Sequence, residues 1–442
     1  MKYAARILVL CLVLFTFLSM TEASWLKSAF IPLGPFAVSV FDVLLILSTA
    51  AFFYTVSLRT RTDASSVNRA VLRLTGAYLL YQLVVVIPVA MFQYGVGPSE
   101  AYKLVTARLA LVLIPFFYYV GLRYLTPERL VLLVNAAALA LLLYGLYRFV
   151  FIGSQGSWEN GEFRLRVLWG GSTLLFGWLA ITGLILQVRP LYAYCMGLAG
   201  LLGIVIENHR SGYLALVFAA VFYVILSRRI SKRLVAISAA ALICGVLLAA
   251  ASPVIRESAA YSLTTMFNAH ADVNAQDRVE RSALAWDYVQ VHPLGDYVWN
   301  RTYYLVDMGA AAFGPHNWVI YALDTQGWVS AGLLFALVAV IMAAGWTVRR
   351  HSRLGLAMTV YLVFYLAFCL FNGNFESLEN ISLFAIAVAL VLDANRERQE
   401  ARKRELDGSG MILGAQPSSE EVDPQLRRSL SRPSGSEASA HR

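Results

Sequence analysis

A handful of arginines and one histidine carry the chemistry available to this chain. Arg210 stands in Glu207-Asn208-His209-Arg210-Ser211-Gly212, a very short polar break between two apolar runs. Arg256, Arg278, Arg281 and Arg301 lie in the longest polar stretch, and His316 ends that stretch in Gly314-Pro315-His316-Asn317. Arg164 and Arg166 occupy a second polar segment. Arginine keeps its charge at any working pH and grips phosphate with two parallel hydrogen bonds. Several together would bind a lipid diphosphate and stabilise the charge that grows as a glycosidic C–O bond to it breaks. Histidine titrates near neutral pH and can take the proton from a hydroxyl attacking an anomeric carbon. Plain solvation suffices for Arg256 and Arg301, and a structural hydrogen bond is the bland account of His316. Arg210 is harder to dismiss, because a guanidinium at the mouth of a membrane hairpin is costly unless it snorkels or meets an anion.

The elements that must hold these residues are apolar helices. The 442 residues are 59% hydrophobic and 14% charged, with a mean hydropathy of +0.62. A soluble domain carries about 25% charge. Runs long enough to cross ~30 Å of hydrocarbon recur along the chain. The short alternating segments of a membrane barrel are absent. The expectation is an all-α, polytopic transmembrane helical bundle of about twelve spans with one large, partly helical extracytoplasmic loop. Spans are expected near Ile7–Met20, Ser39–Ser57, Ala70–Phe92, Leu104–Leu122, Leu130–Ile152 and Val167–Val188. Others follow near Leu191–Ile206, Gly212–Leu226, Leu234–Ala251, Trp318–Val348, Leu354–Phe371 and Ile381–Leu392. The first run is read as a retained span rather than a cleaved signal peptide, since Glu22 spoils a small-residue cleavage site.

The domain plan is a membrane-embedded catalytic region over 1–393, with the large loop at 252–317 inside it, and a polar tail over 394–442 expected to have no fixed structure. Alternate connections hold Arg59/Arg61/Arg69/Arg73, Arg123/Arg129, Arg189, Arg228/Arg229/Lys232/Arg233 and Arg349/Arg350/Arg353. By the positive-inside rule these are cytoplasmic, both termini are inside, and the large loop is outside. The net charge of +9 is therefore topological, and nucleic acid is not an expected partner. Cys11, Cys195, Cys244 and Cys369 all sit in apolar runs, which suggests small buried hydrophobes rather than a metal site. No metal and no cofactor are expected. Asp42 and Asn135 read as nearly the only strongly polar residues within the spans.

Three segments in this order, HRSGYLALVFA, DRVERSALAWDYVQVHPLG and HNWVIYALDTQG, resemble the O-antigen ligase and Wzy-type polymerase superfamily over roughly Arg164 to Asn380. The resemblance implies an inner-membrane protein of the bacterial envelope with its large loop in the periplasm. It implies an inverting, metal-independent glycosyltransferase. The donor would be an undecaprenyl-diphosphate-linked glycan; the acceptor would be lipid A core in a ligase, or a second lipid-linked glycan in a polymerase. Arg210 matches the family arginine that opens a span, and Arg278 matches its loop arginine, with Arg281 as the alternative. His316 matches the histidine that activates the acceptor, Arg164 or Arg166 an accessory substrate-binding arginine, and Gly327 the glycine in the span after the histidine. Two features depart from the family: Gly295-Asp296-Tyr297 replaces a Gly-x-Gly turn, and the aromatic of the loop helix falls at Trp286 rather than Ser282. A transporter or flippase of lipid-linked glycans is the competing expectation. It would place charged groups deep within several spans.

Overall fold

The computed structural model describes residues 2–21, 30–33, 36–57, 65–94, 97–152, 156–159, 162–165, 168, 171–186, 189–207, 209–228, 232–251, 273–291, 317–372, 375 and 378–414, together with 256, 257, 260 and 264. The chain divides into two units, Met1–Arg398 and Gln399–Arg442.

Helices fall on every expected apolar run. The first half of the chain gives α1 (Lys2–Ser19), α2 (Val40–Ser57), α3 (Ser66–Tyr81), α4 (Ile87–Tyr94), α5 (Pro98–Leu109), α6 (Leu113–Phe116), α7 (Leu122–Tyr124) and α8 (Pro127–Tyr147). The second gives α9 (Ser172–Leu186), α10 (Pro190–Glu207), α11 (Arg210–Ser227), α12 (Lys232–Ala251), α13 (Val273–Val291), α14 (Trp318–Val348), α15 (Arg353–Asn372) and α16 (Leu378–Gly414). Two short antiparallel hairpins, β1 (Phe30–Leu33) with β2 (Phe36–Ser39) and β3 (Gly156–Glu159) with β4 (Glu162–Leu165), qualify the all-α expectation.

Among the described residues, eight stretches are long and apolar enough to cross a membrane, and Ser172–Leu186, Leu191–Glu207 and Val235–Cys244 are shorter apolar helices. This is a polytopic helical membrane protein. Leu143, Val217 and Val221 stand exposed on such helices, where lipid tails rather than water are the natural solvent.

Local sequence accounts for the interruptions. Proline cannot donate to the carbonyl four residues earlier and its ring collides with that carbonyl. Pro88 therefore disturbs Val84, inside the π-type turn Gln82–Val86 that joins α3 to α4. Pro115 likewise disturbs Leu111, inside the 3-10 turn Ala110–Val112 between α5 and α6. Where proline occupies the first helical position it does no harm: Pro127 follows the cap Thr126, whose hydroxyl accepts from Arg129 N at 3.4 Å.

Small residues set the closest helix pair, as is usual in membranes. A Cβ at Gly200 of α10 would lie 2.3 Å from Ala180 N of α9, and one at Gly183 would lie 2.6 Å from Gly197 N. Against this pair lies α15: Trp178 and Tyr361 meet edge-on with ring centroids 4.8 Å apart. The stretch of α16 from Asn380 to Asn395 is buried on every side, as befits a helix hydrophobic all round.

One end of the bundle is closed by polar groups that satisfy one another. Asn68 Nδ2 donates to Leu392 O at 2.8 Å and to Tyr118 OH at 3.2 Å, while Asn395 Nδ2 donates to Ser65 Oγ and to Asn68 Oδ1, each at 2.8 Å. Arg6 Nε reaches Tyr124 O at 3.0 Å. This end carries the arginine-rich connections. Partial desolvation of Arg349, then the nearby charges of Arg350 and Arg228, lower its pKa.

Two expectations need correction. The polar content of the spans is larger than Asp42 and Asn135: Arg108, Arg148, Gln82, Asp324 and Gln326 are buried within apolar helices. Each is a lone polar residue inside a run dominated by Leu, Val and Phe, so the hydropathy of the run hides it. The tail expected to lack structure from residue 394 is helical as far as Gly414. Glu, Arg, Gln, Lys and Ala are strong helix formers, and Glu400 and Arg404 are spaced to pair on one face. In the second unit, residues 401–406 are exposed; residues 415–442 lie outside the described residues.

Candidate functional site

The opposite end of the bundle holds the candidate site. Antiparallel neighbours fix what gathers there. Gly177 of α9 faces Phe364 of α15, so the start of α9 meets the end of α15. His209 lies on Phe368 of α15 with ring centroids 5.5 Å apart. Trp318, the first residue of α14, stacks on Phe375 at 5.0 Å, and Tyr365 OH donates to Phe375 O at 3.3 Å.

The hairpin between α10 and α11 is tight because its ends are locked locally. His209 is the N-cap of α11, and its carbonyl accepts from Gly212 N at 2.8 Å. Its ring Nδ1 and Ser211 Oγ are 2.6 Å apart, which fixes the imidazole without specifying its tautomer. Arg210 opens the helix, half-buried and engaged with the surrounding fold rather than free. Glu207, the last residue of α10, is 1% exposed. Gly212 allows this hairpin to close on α9: a Cβ there would lie 2.7 Å from Thr173 Cγ2.

Three buried polar groups at this end differ from the mutually satisfied ones at the other. The Thr173 hydroxyl, the Asn372 amide nitrogen and the Ser382 hydroxyl are buried, and none has a hydrogen-bond partner among the described residues. A buried donor or acceptor left alone costs about 1–3 kcal/mol, so such groups concentrate where a polar ligand or solvent enters. At the start of α2, Asp42 accepts from Ser39 N and Ser39 Oγ, each at 2.7 Å, and from Tyr102 OH at 3.1 Å. Burial first, then the charge and hydrogen bond of Asp42, push the Tyr102 phenol upward.

The loop helix α13 packs on α14. Its Ala285 and Val289, four residues apart on one face, are buried, and Trp286 meets Trp328 with centroids 6.1 Å apart. Arg278 and Arg281 are both on α13, three residues apart. Arg281 is half-buried and engaged, whereas the side chain of Arg278 lies outside the described residues. The same holds for the side chain of Arg164, whose backbone pairs with Ser157 in the second hairpin. Arg166 and His316 lie outside the described residues altogether. Asn317, next to His316 in sequence, serves the fold directly. Its Oδ1 caps α14, accepting from Val319 N at 2.9 Å and Ile320 N at 3.4 Å. The described contacts thus unite the Arg278/Arg281 helix with the helix that follows His316, and set the Arg210 hairpin on α15 beside them. They supply no contact between the three residues themselves.

Sequence reasoning passed over Arg108 and Arg148. Arg108 is 2% exposed in α5, and Arg148 is 7% exposed just after α8. A single cation inside an apolar run was the available signal, since intramembrane arginines are rare and usually functional.

No protein-family model matches this chain, and no curated protein matches it significantly.

Proposed function

We propose that the chain is a membrane glycosyltransferase that moves a glycan from an undecaprenyl diphosphate carrier to an acceptor hydroxyl. The observation that supports this most is the contrast between the two ends of the bundle. Polar groups at the Ser65/Asn395 end satisfy one another, while Thr173, Asn372 and Ser382 at the Arg210 end are left without partners among the described residues. A site for a polar, anionic headgroup needs donors of that kind.

In this reading the shorter apolar helices and the buried α16 complete about twelve crossings of a bacterial inner membrane. Both termini are cytoplasmic, and the loop over 252–317 is periplasmic. Arg210 and Arg278 hold the diphosphate leaving group and stabilise its growing charge. Arg281, Arg164 and Arg166 bind the rest of the donor. His316 takes the proton of the attacking acceptor hydroxyl, and attack opposite the leaving diphosphate inverts the anomeric centre. No metal is required, because guanidinium groups supply the positive charge. Lipid A core is the favoured acceptor, as in a ligase; a second lipid-linked glycan would make the chain a polymerase.

The test is transfer from an undecaprenyl-diphosphate glycan to added acceptor by the protein reconstituted in vesicles. Formation of linked product with release of the carrier diphosphate is the expected result. Absence of product with each acceptor class would overturn the proposal.

A second reading has its own observation. Arg108, Arg148, Asp324 and Gln326 are buried within the helices, and α14 is interrupted at Gly327. Broken helices and buried charges line the pathways of transporters. Movement of a lipid-linked glycan across vesicles without any transfer chemistry would favour that reading.

A further inference from the structure

A groove at the Ser65/Asn395 end, away from Arg210, has the shape and charge of a lipid site. It is a cavity of about 690 Å³ between α2, α3 and the segment from α6 to α7. That volume is within the ~300–1,000 Å³ of ordinary ligand pockets. Its walls are apolar, with Phe53, Leu72, Leu80 and Leu83 among them, and two cations, Arg123 and Arg396, also line it. Phe53, Leu80 and Leu83 are half or more exposed, so the groove opens sideways toward the lipid. Gly76 widens it: a Cβ there would meet nothing within 4 Å.

The two arginines differ in how far they are neutralised. Arg396 pairs with Asp393 and lies 6.0 Å from the Tyr118 ring. Arg123 is exposed and lies 5.2 Å from the Tyr124 ring; among the described residues it makes no ion pair. An apolar slot with an uncompensated guanidinium at the membrane boundary complements a molecule with acyl chains and a phosphate. Basic pockets between spans are recognition sites for such headgroups.

We propose that this groove binds an anionic phospholipid of the surrounding leaflet, one acyl chain along α3 across Gly76 and its phosphate at Arg123 and Arg396. The lipid is not a substrate of the transfer reaction proposed above. It wedges α2 against α3 and completes the bundle on this side.

The experiment measures retained lipid by native mass spectrometry, after the full chain in detergent has been equilibrated with phosphatidylglycerol or phosphatidylcholine. The wild type should retain phosphatidylglycerol in preference to phosphatidylcholine. Gly76→Leu sets a side chain across the path of the acyl chain and should weaken retention of the lipid while the protein remains folded. Arg123→Gln should weaken phosphatidylglycerol retention about fivefold, the usual effect of one basic residue near a lipid surface, and leave phosphatidylcholine unaffected. Inorganic phosphate at equal concentration should not displace the lipid. Equal retention of the two lipids, undiminished retention in Gly76→Leu, or displacement by phosphate would each overturn the proposal.

Discussion

Tyr78 OH donates to Gln326 Oε1 at 2.8 Å, joining residues 248 apart in sequence. Beside it Gln82 Nε2 donates to Ser330 Oγ at 2.6 Å, and Ser330 Oγ donates to Gln326 Oε1 at 3.0 Å. This buried network fastens α3 to α14 on both sides of the break at Gly327. Tyr78→Phe removes one bond while Ser330 still serves Gln326, so the cost should be about 0.6–1 kcal/mol. Gln326→Leu removes the bonds from Tyr78 and Ser330 together and should cost more, about 1–3 kcal/mol. Thermal unfolding in detergent measures both. The reverse order would mean that the network contributes differently from its geometry.

Gly327 has φ 69° and ψ 174°, a region essentially closed to residues with a side chain. Gly327→Ala should therefore destabilise the fold by about 1–3 kcal/mol, although alanine ordinarily favours a helix. A rise in unfolding temperature in Gly327→Ala would show that the break is dispensable.

The glycines of α3 and α10 should respond in opposite senses to substitution. Gly200→Leu drives a side chain into the backbone of Ala180, which cannot move aside, and should cost about 1–3 kcal/mol or more. Gly76→Ala points into open space and exchanges a poor helix former for the best, a gain of up to about 1 kcal/mol. Comparing the two unfolding temperatures checks the α9–α10 packing and the groove together.

Tyr102 carries a pH dependence. Its phenol titrates above the ordinary value of 10.0 because it is buried and bonded to Asp42. The fold favours the protonated phenol. That contribution is complete below pH 10 and is lost as the pH rises from there through the folded value. Unfolding temperatures measured from pH 8 to 11 should fall at the alkaline end, and Tyr102→Phe should flatten that part of the fall. An identical alkaline fall in the variant would remove Tyr102 as its cause.

Most helix positions were legible because apolar runs of span length leave few alternatives. The Arg210 hairpin was legible too, as a charge in a connection too short to hold it in solvent. The interruptions were harder to see. Pro88 and Pro115 announce breaks; the resemblance singles out Gly327, but its interruption of the helix shows only in its φ. Arg108 and Arg148 were masked by the hydropathy of their neighbours. The helix beyond Asp393 was missed because a mixed-charge composition suits both a solvated helix and a disordered chain. The surroundings of Thr173, Trp178 and Tyr361 depend on contacts between distant helices, which no local pattern encodes.

The proposed transfer of glycans at the Arg210 end of the bundle is tested by glycan transfer from an undecaprenyl-diphosphate donor in membranes containing equal amounts of each variant. Arg210→Ala and Arg278→Ala should each lower the rate by about 10²–10³, the effect of removing one group that stabilises developing charge, and His316→Ala by about 10²–10⁴, the effect of removing a general base. Arg210→Lys should recover only part of the loss, since an ammonium cannot grip phosphate with two parallel bonds. Arg123→Gln, at the opposite end, should transfer normally. Wild-type rates in all three alanine variants at normal abundance would contradict the account.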